Sequence, residues 1–371
     1  MKITIFALGS RGDVQPFLAL ALGLQQTGHQ VTLVVPRNFA EWIRSYGVGA
    51  YPVRFNVQEF MQKPETLAVL KSGNPVRLFR MVREYMGANM REALDDFWQA
   101  AQDADFVVQT LGGHGGIEVA SQRDLPMAFA FLQPFAHTRS FPSFFLGPVR
   151  LSLGGSYNYL THMLMDRVLW LMYGEPTNKW RASRLGLSPW RSYSEMHNAR
   201  RGFGTPWLFA YSPSVMPKPS DWAEYLHITG YWFLDAPPNW QPSTDLARFL
   251  DSGPPPVYVG FGSMSDEAPE RLTRLTLRAL ELTGQRGVLA TGWGGVTQLT
   301  SSANVYYVDN APHDWLFPRM AVVVHHGGAG TTAAGLRAGV PSIITPFTLD
   351  QYAWADLVAK LVVCKLSFAT N

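Results

Sequence analysis

With 371 residues, 47% of them hydrophobic, and a formal charge of only +3, the chain is too long for one compact core and suits two domains of ordinary size. So small a charge, with no run of Lys and Arg interleaved with aromatics, argues against a nucleic-acid partner. No uninterrupted apolar span is long enough to cross a bilayer. The single cysteine, Cys364, excludes an internal disulfide framework and fits a reducing, cytoplasmic setting.

In chain order, Met1 to Leu8 is a short apolar stretch with one Lys, without the length or cleavage site of a signal peptide, and reads as a first strand. A polar turn, a helix from Pro16 to Thr27, a stop at Gly28 and a strand from His29 to Val35 complete a βαβ start. Val76 to Ala101 has the pattern of a long amphipathic helix. Phe106 to Leu111 reads as a buried strand that ends in a glycine-rich loop, followed by a helix from Ile117 and a strand from Met127 to Phe131. Aromatics are dense from Phe129 to Trp240; an aromatic core is the plain reading, and a large apolar cleft or peripheral contact with a membrane surface is the other.

Segments rich in Pro, Gly and Trp between Ser212 and Pro242 mark a linker, with the hinge at Asp235 to Pro242 and domains expected over 1–236 and 237–371. From Pro254 the rhythm is cleaner: strand Val257 to Gly260, helix Pro269 to Leu282, strands Gly287 to Ala290, Val305 to Val308 and Ala321 to Val324, a helix from Thr331 to Arg337, and strand Pro341 to Thr345. Such alternation predicts an α/β chain of two facing, doubly wound parallel-sheet domains of Rossmann-like type, with a cleft between the carboxyl ends of their strands.

The run His325-His326-Gly327-Gly328-Ala329-Gly330-Thr331-Thr332 lies between a strand and a helix. Small residues let a backbone approach an anion, unpaired N–H groups and the positive end of the helix dipole face it, and a histidine and two hydroxyls add donors: a seat for a diphosphate. Adjacent histidines on a strand point to opposite faces, so only one of them can serve the ligand. Metal binding is a poor reading, because no further His, Cys or carboxylate cluster has ligand spacing nearby. Asp350-Gln351, after the next strand, pairs a carboxylate with an amide and suits the neighbouring hydroxyls of a sugar.

Gly260-Phe261-Gly262-Ser263 again ends a strand, and Gly262 and Ser263 can meet the same phosphates; a common turn is the plainer alternative. Trp293, in a glycine-rich stretch, and His313, in the loop after Val308, are candidate linings of the same pocket, against buried core and a plain loop respectively. At the first strand's end, Gly9-Ser10-Arg11-Gly12-Asp13 lacks the glycine spacing of a dinucleotide loop, and Asp13 would repel a pyrophosphate. A base acting on an incoming hydroxyl and a simple helix cap are even readings of Asp13; Ser10 is counted with the donor contacts. Asp103-Ala104-Asp105 matches the acidic pair that holds a metal-bound nucleotide in some enzymes, although a solvated turn is the stronger reading. His114, in a glycine-rich loop, either borders an acceptor or sits in a turn.

These motifs, in this order, resemble the UDP-dependent glycosyltransferases of the GT-B fold, the family of plant and animal UDP-glycosyltransferases, antibiotic glycosyltransferases and sterol glucosyltransferases, with the sterol type closest in look. Gly9 to Pro16, Phe261 to Ser263, Pro312 to Pro318, His325 to Pro341 and Pro346 to Gln351 carry the likeness. The resemblance implies that His326, rather than His325, meets the donor phosphate with Gly328, Gly330, Thr331 and Thr332. It implies that Asp350 and Gln351 hold the sugar, that Asp13 is the catalytic base, and that no metal or cofactor is needed beyond the UDP-sugar co-substrate.

Ala334 stands where plant members keep a glutamate for the ribose, and Asn310 where they begin a base-stacking motif with Trp. The family also continues past the point corresponding to Asn371, so the C-terminal domain is read as cut short. The expected activity is inverting transfer of a hexose, glucose from UDP-glucose in the first instance, to a hydroxyl of a lipophilic acceptor such as a sterol or another lipid or natural product. An impaired nucleotide-sugar binder and, less favoured because of Asp13, a nicotinamide oxidoreductase are the rival expectations.

Overall fold

The computed structural model describes the chain apart from residues 55–59, 61–62, 72–74, 149–150, 152, 200–203, 238, 263–268, 292–295, 300–301 and 362–371. Two compact units divide it, the first running to Leu234 and the second starting at Asp235.

The first unit is built on seven strands: β1 (Lys2–Phe6), β2 (Gln30–Pro36), β3 (Gly49–Val53), β4 (Phe106–Gln109), β5 (Met127–Phe131), β6 (Trp207–Phe209) and β7 (Leu226–Ile228). They pair in the order β3-β2-β1-β4-β5-β6-β7, and every pairing is parallel. Parallel strands are joined by helical crossovers that cover both faces, which is why β5 is buried at all five positions and β1 at four of five. Ile3, Ile5, Leu33 and Val35 meet Val14, Phe17 and Leu18 of helix Arg11–Gln26 in the core on one side.

The second unit repeats the plan with β8 (Val257–Gly260), β9 (Gly287–Ala290), β10 (Val305–Val308), β11 (Val322–His325) and β12 (Ser342–Ile344), in the order β10-β9-β8-β11-β12 and again wholly parallel. Each sheet therefore reverses its winding once, between β1 and β4 in the first and between β8 and β11 in the second. Ligands of open parallel sheets bind outside the carboxyl ends of the strands at that reversal. The segments to inspect are thus those that follow Phe6 and Gln109, and those that follow Gly260 and His325.

Several elements differ from the sequence-based expectation. The first helix opens at Arg11, five residues before Pro16, because Ser10 and Asp13 cap it; Pro16 then lies inside the helix. Its missing N–H leaves the carbonyl of Gly12, four residues back, without that bond, and Gly12 is exposed to water. Helix Gly155–Trp180, 26 residues long, was not anticipated at all. The helix after the histidine pair opens at Ala329 rather than Thr331, with Gly328 at its N-cap. Among the described residues, no helix is long and apolar enough to cross a membrane.

Candidate functional site

In the second unit, β11 places His325 directly beside Gly260 of β8, so the two strands at the reversal end level with one another. His325 has no exposed surface; its Nδ1 accepts the Gly327 N–H at 3.1 Å, and its carbonyl accepts the Thr345 N–H at 2.8 Å. Burial lowers its pKa to about 3, and the nearby His326 and His313 act in the same sense. This histidine is a neutral core residue.

His326 is different. Its ring lies in a slot between two glycines: a Cβ on Gly328 would come within 2.6 Å of Nε2, and one on Gly262 within 2.8 Å of Cε1. Neither contact is tolerable, so both positions require glycine as long as the ring stays there. The loop after β8 and the N-terminus of helix Ala329–Ala338 are thereby brought together around one imidazole. Burial lowers the His326 pKa to about 4, so the ring is neutral near pH 7. It can donate one N–H to a ligand but brings no charge, which leaves the N–H groups of the helix's first turn to meet an anion.

Of the remaining residues of this motif, Gly330 is exposed and Thr331 half-buried in the first helical turn, whereas Thr332 is buried, its hydroxyl without a partner among the described residues. Gly327, at φ +91°, bends the chain so tightly that a Cβ there would meet Ile344 at 2.7 Å and the Gln351 carbonyl at 3.1 Å. That close approach sets helix Gln351–Lys360 against the histidine motif. Gln351 is buried, and its Oε1 accepts the N–H groups of Phe347 at 2.8 Å and Thr348 at 3.1 Å, so its carbonyl oxygen holds its own loop. Asp350 accepts the indole N–H of the fully buried Trp354 at 3.1 Å. Just before it Leu349 sits at φ +47°, a conformation that costs a non-glycine residue of order 1–2 kcal/mol and is often found at ligand sites. His313 stacks on Phe317 with ring centres 4.2 Å apart. Ser263 and Trp293 lie outside the described residues.

In the first unit, Asp13 is the third residue of helix Arg11–Gln26, directly after β1. Its Oδ2 accepts the Ser10 N–H at 2.7 Å and the Ser10 hydroxyl at 2.9 Å. Ser10 thus acts here on the carboxylate. The other oxygen, Oδ1, has no protein partner among the described residues. Burial raises the Asp13 pKa, and the two Ser10 bonds only partly offset that. The sequence reading missed Gly9: at φ +135°, a Cβ there would strike the Asp13 carboxylate at 2.4 Å, so this glycine makes room for it. Across the reversal, Gly112 and Gly113 pack on Leu8 and Phe6 in the same way.

The other candidates are occupied elsewhere. His114 is buried in a stack with Tyr173, ring centres 4.0 Å apart, and burial lowers its pKa to about 3. Asp105 accepts the Lys2 N–H at 2.7 Å and Asp103 faces the Lys2 ammonium at 3.8 Å, which makes this acidic pair a surface turn tied to β1.

Known proteins show the same construction. Residues 3–142 match the glycosyltransferase family 28 N-terminal domain, and residues 295–365 match the erythromycin biosynthesis protein CIII-like C-terminal domain. The sterol 3-beta-glucosyltransferase of Cryptococcus neoformans var. neoformans serotype D is 34% identical over 98% of this chain, and that of Pichia angusta 36% identical over 97%. The chain belongs to the GT-B glycosyltransferase family. It spans only 24% and 29% of the length of those two relatives. Solved structures agree on the fold: the kitacinnamycin glycosyltransferase aligns with TM-score 0.65 at 17% identity, covering 98% of this chain and 84% of its own. A Streptomyces sp. SF2575 glycosyltransferase complexed with thymidine diphosphate aligns with TM-score 0.59 at 18% identity, covering 97% of this chain and 86% of its own. Within this GT-B chain, both loops that the fold singles out carry the motifs singled out by the sequence.

Proposed function

We propose that this chain is an inverting glycosyltransferase that moves a hexose, glucose from UDP-glucose in the first instance, to a hydroxyl of a lipophilic acceptor such as a sterol. The hydroxyl oxygen forms a bond to the anomeric carbon as the bond from that carbon to the diphosphate breaks. Its proton passes to Oδ1 of Asp13, and UDP departs carrying the electron pair. Burial that raises the Asp13 pKa makes its carboxylate a stronger base than an exposed one. The charge that grows on the departing diphosphate is met by the N–H groups at the start of helix Ala329–Ala338 and by the neutral donor His326. Thr331 lies at the rim of that turn, and Asp350, with the Gln351 amide, is assigned to the sugar.

The observation that carries this reading is the His326 ring seated between Gly262 and Gly328 at the second sheet's reversal. Sterol glucosyltransferase relatives support the lipophilic acceptor, and a structural neighbour complexed with thymidine diphosphate supports a nucleoside diphosphate. The test measures UDP release from UDP-glucose with a sterol, comparing wild type with Asp13→Asn. Loss of a general base should lower kcat by about 100-fold or more, with UDP-glucose binding unchanged. Equal turnover by the variant would remove Asp13 from the reaction.

A further inference from the structure

The loop that follows β5 in the first unit is fixed with unusual thoroughness. Asp221 accepts the Thr138 hydroxyl and the Arg139 N–H, each at 2.7 Å. From helix Gly155–Trp180, Asn158 donates to the Arg139 carbonyl at 2.9 Å, the Thr161 hydroxyl accepts the Ser143 N–H at 2.8 Å, and His162 bonds the Phe141 carbonyl at 3.1 Å. None of these bonds has a part in the reaction proposed above. What they hold in place is His137.

The Nε2 of His137 lies 3.0 Å from Oδ2 of Asp166, which also accepts the Ser194 hydroxyl at 2.5 Å. An ionised carboxylate only accepts, so Nε2 carries the proton and Nδ1 is left with a lone pair. Nδ1 has no protein partner among the described residues, and the His137 side chain keeps 27% of its surface exposed. Tyr159, Met163 and Asp166 fall at i, i+4 and i+7 on the helix and share its face. Tyr159 meets the His137 ring edge-on at 5.4 Å. Tyr159 and Met163 are 37% and 50% exposed. A fixed hydrogen-bond acceptor is thus flanked by open apolar surface, on the carboxyl side of the sheet that carries Asp13.

We infer that His137, oriented by Asp166, binds a second hydroxyl of the acceptor through Nδ1, with the acceptor's lipophilic body over Tyr159 and Met163. The inference rests on the acceptor being a lipophilic alcohol. The strand order β1-β4-β5 separates the ends of β1 and β5 by two strand spacings, about 10 Å. Two groups so far apart suit two different hydroxyls of one acceptor rather than one hydroxyl shared. His137 is then a specificity determinant, and the favoured substrates are diols.

The test compares a dihydroxysteroid with the matching monohydroxysteroid, using wild type, His137→Phe and His137→Asn. Wild type should prefer the diol by about tenfold in kcat/KM, the worth of about one hydrogen bond. His137→Phe should abolish that preference through the diol's KM while leaving the UDP-glucose KM unchanged. His137→Asn, whose amide oxygen can stand near Nδ1, should keep most of it. The same preference is read by equilibrium binding from tryptophan fluorescence, so it is decided even if no transfer occurs and the activity itself is wrong. A preference that survives in His137→Phe, or is absent from wild type in both assays, overturns the inference.

Discussion

His326 shows how a single residue's environment sets what it can contribute. Removed from water, its imidazole stays neutral down to about pH 4, so it serves as a shaped donor rather than a cation. The shape comes from Gly262 and Gly328, and Gly328 gives the cleaner experiment because its φ of −61° suits any residue. Gly328→Ala adds one carbon within 2.6 Å of Nε2 and introduces no backbone strain. The ring must move, and affinity for UDP should fall about tenfold or more, one lost ligand hydrogen bond being worth roughly 1.4 kcal/mol. His326→Ala should lose a similar amount, and the double variant little more than either, since both changes remove one contact. Calorimetric titration with UDP across this cycle checks the idea, and fully additive losses would show that the alanine acts elsewhere.

At the scale of elements, the first unit depends on a buried ion pair. Glu118, wholly buried on helix Gly116–Arg123, bonds Arg181, which stacks on the Trp190 ring at 4.0 Å and donates to the Ser188 carbonyl at 2.6 Å. Glu118 also accepts the Trp190 indole N–H at 2.8 Å, and burial raises its pKa despite the guanidinium. Removing one partner strands a charge, so Arg181→Met should cost about 3–5 kcal/mol. Glu118→Leu with Arg181→Met should recover more than half of that in urea unfolding. A double variant as unstable as the single one would mean that the Ser188 and Trp190 bonds, rather than the charges, matter most.

The same elements show what could be read from the sequence. Buried parallel strands such as Met127–Phe131 and Val257–Gly260 are unbroken apolar runs, and both were placed correctly from that pattern. Helix Gly155–Trp180 escaped because apolar residues surround it: Leu160, Met163, Leu164 and Leu171 remain exposed on its outer side, so no stripe repeats every 3.6 residues. The three-residue strands β6 and β7 are too short to show a period. The phosphate motif was legible because glycine spacing reports backbone geometry directly. The strained Leu349, the room that Gly9 makes and the carboxylate that orients His137 all depend on tertiary contacts, which local spacing does not encode.

For the whole molecule, the two units should answer acid differently. Burial depresses His114 to about 3 and His162 to about 4 in the first unit, and His325 to about 3 and His326 to about 4 in the second. Unfolding returns each ring to about 6.5. Below that value the unfolded chain binds the extra protons, so the stability these rings contribute is complete above pH 6.5 and is lost as pH falls toward 4 and then 3. In the first unit, Asp13 and Glu118 work the other way, because their raised pKa values let the folded form take up protons first. The second unit has no such carboxyl among those resolved. Its unfolding should take up nearly two protons near pH 5, a slope of about 2.7 kcal/mol per pH unit, and the first unit should fall less steeply. Scanning calorimetry from pH 7 to 5 can separate the two, with UDP added to mark the transition of the unit that binds it. If the UDP-shifted transition kept the same midpoint across that range, His325 and His326 could not be the buried neutral rings on which the phosphate seat is built.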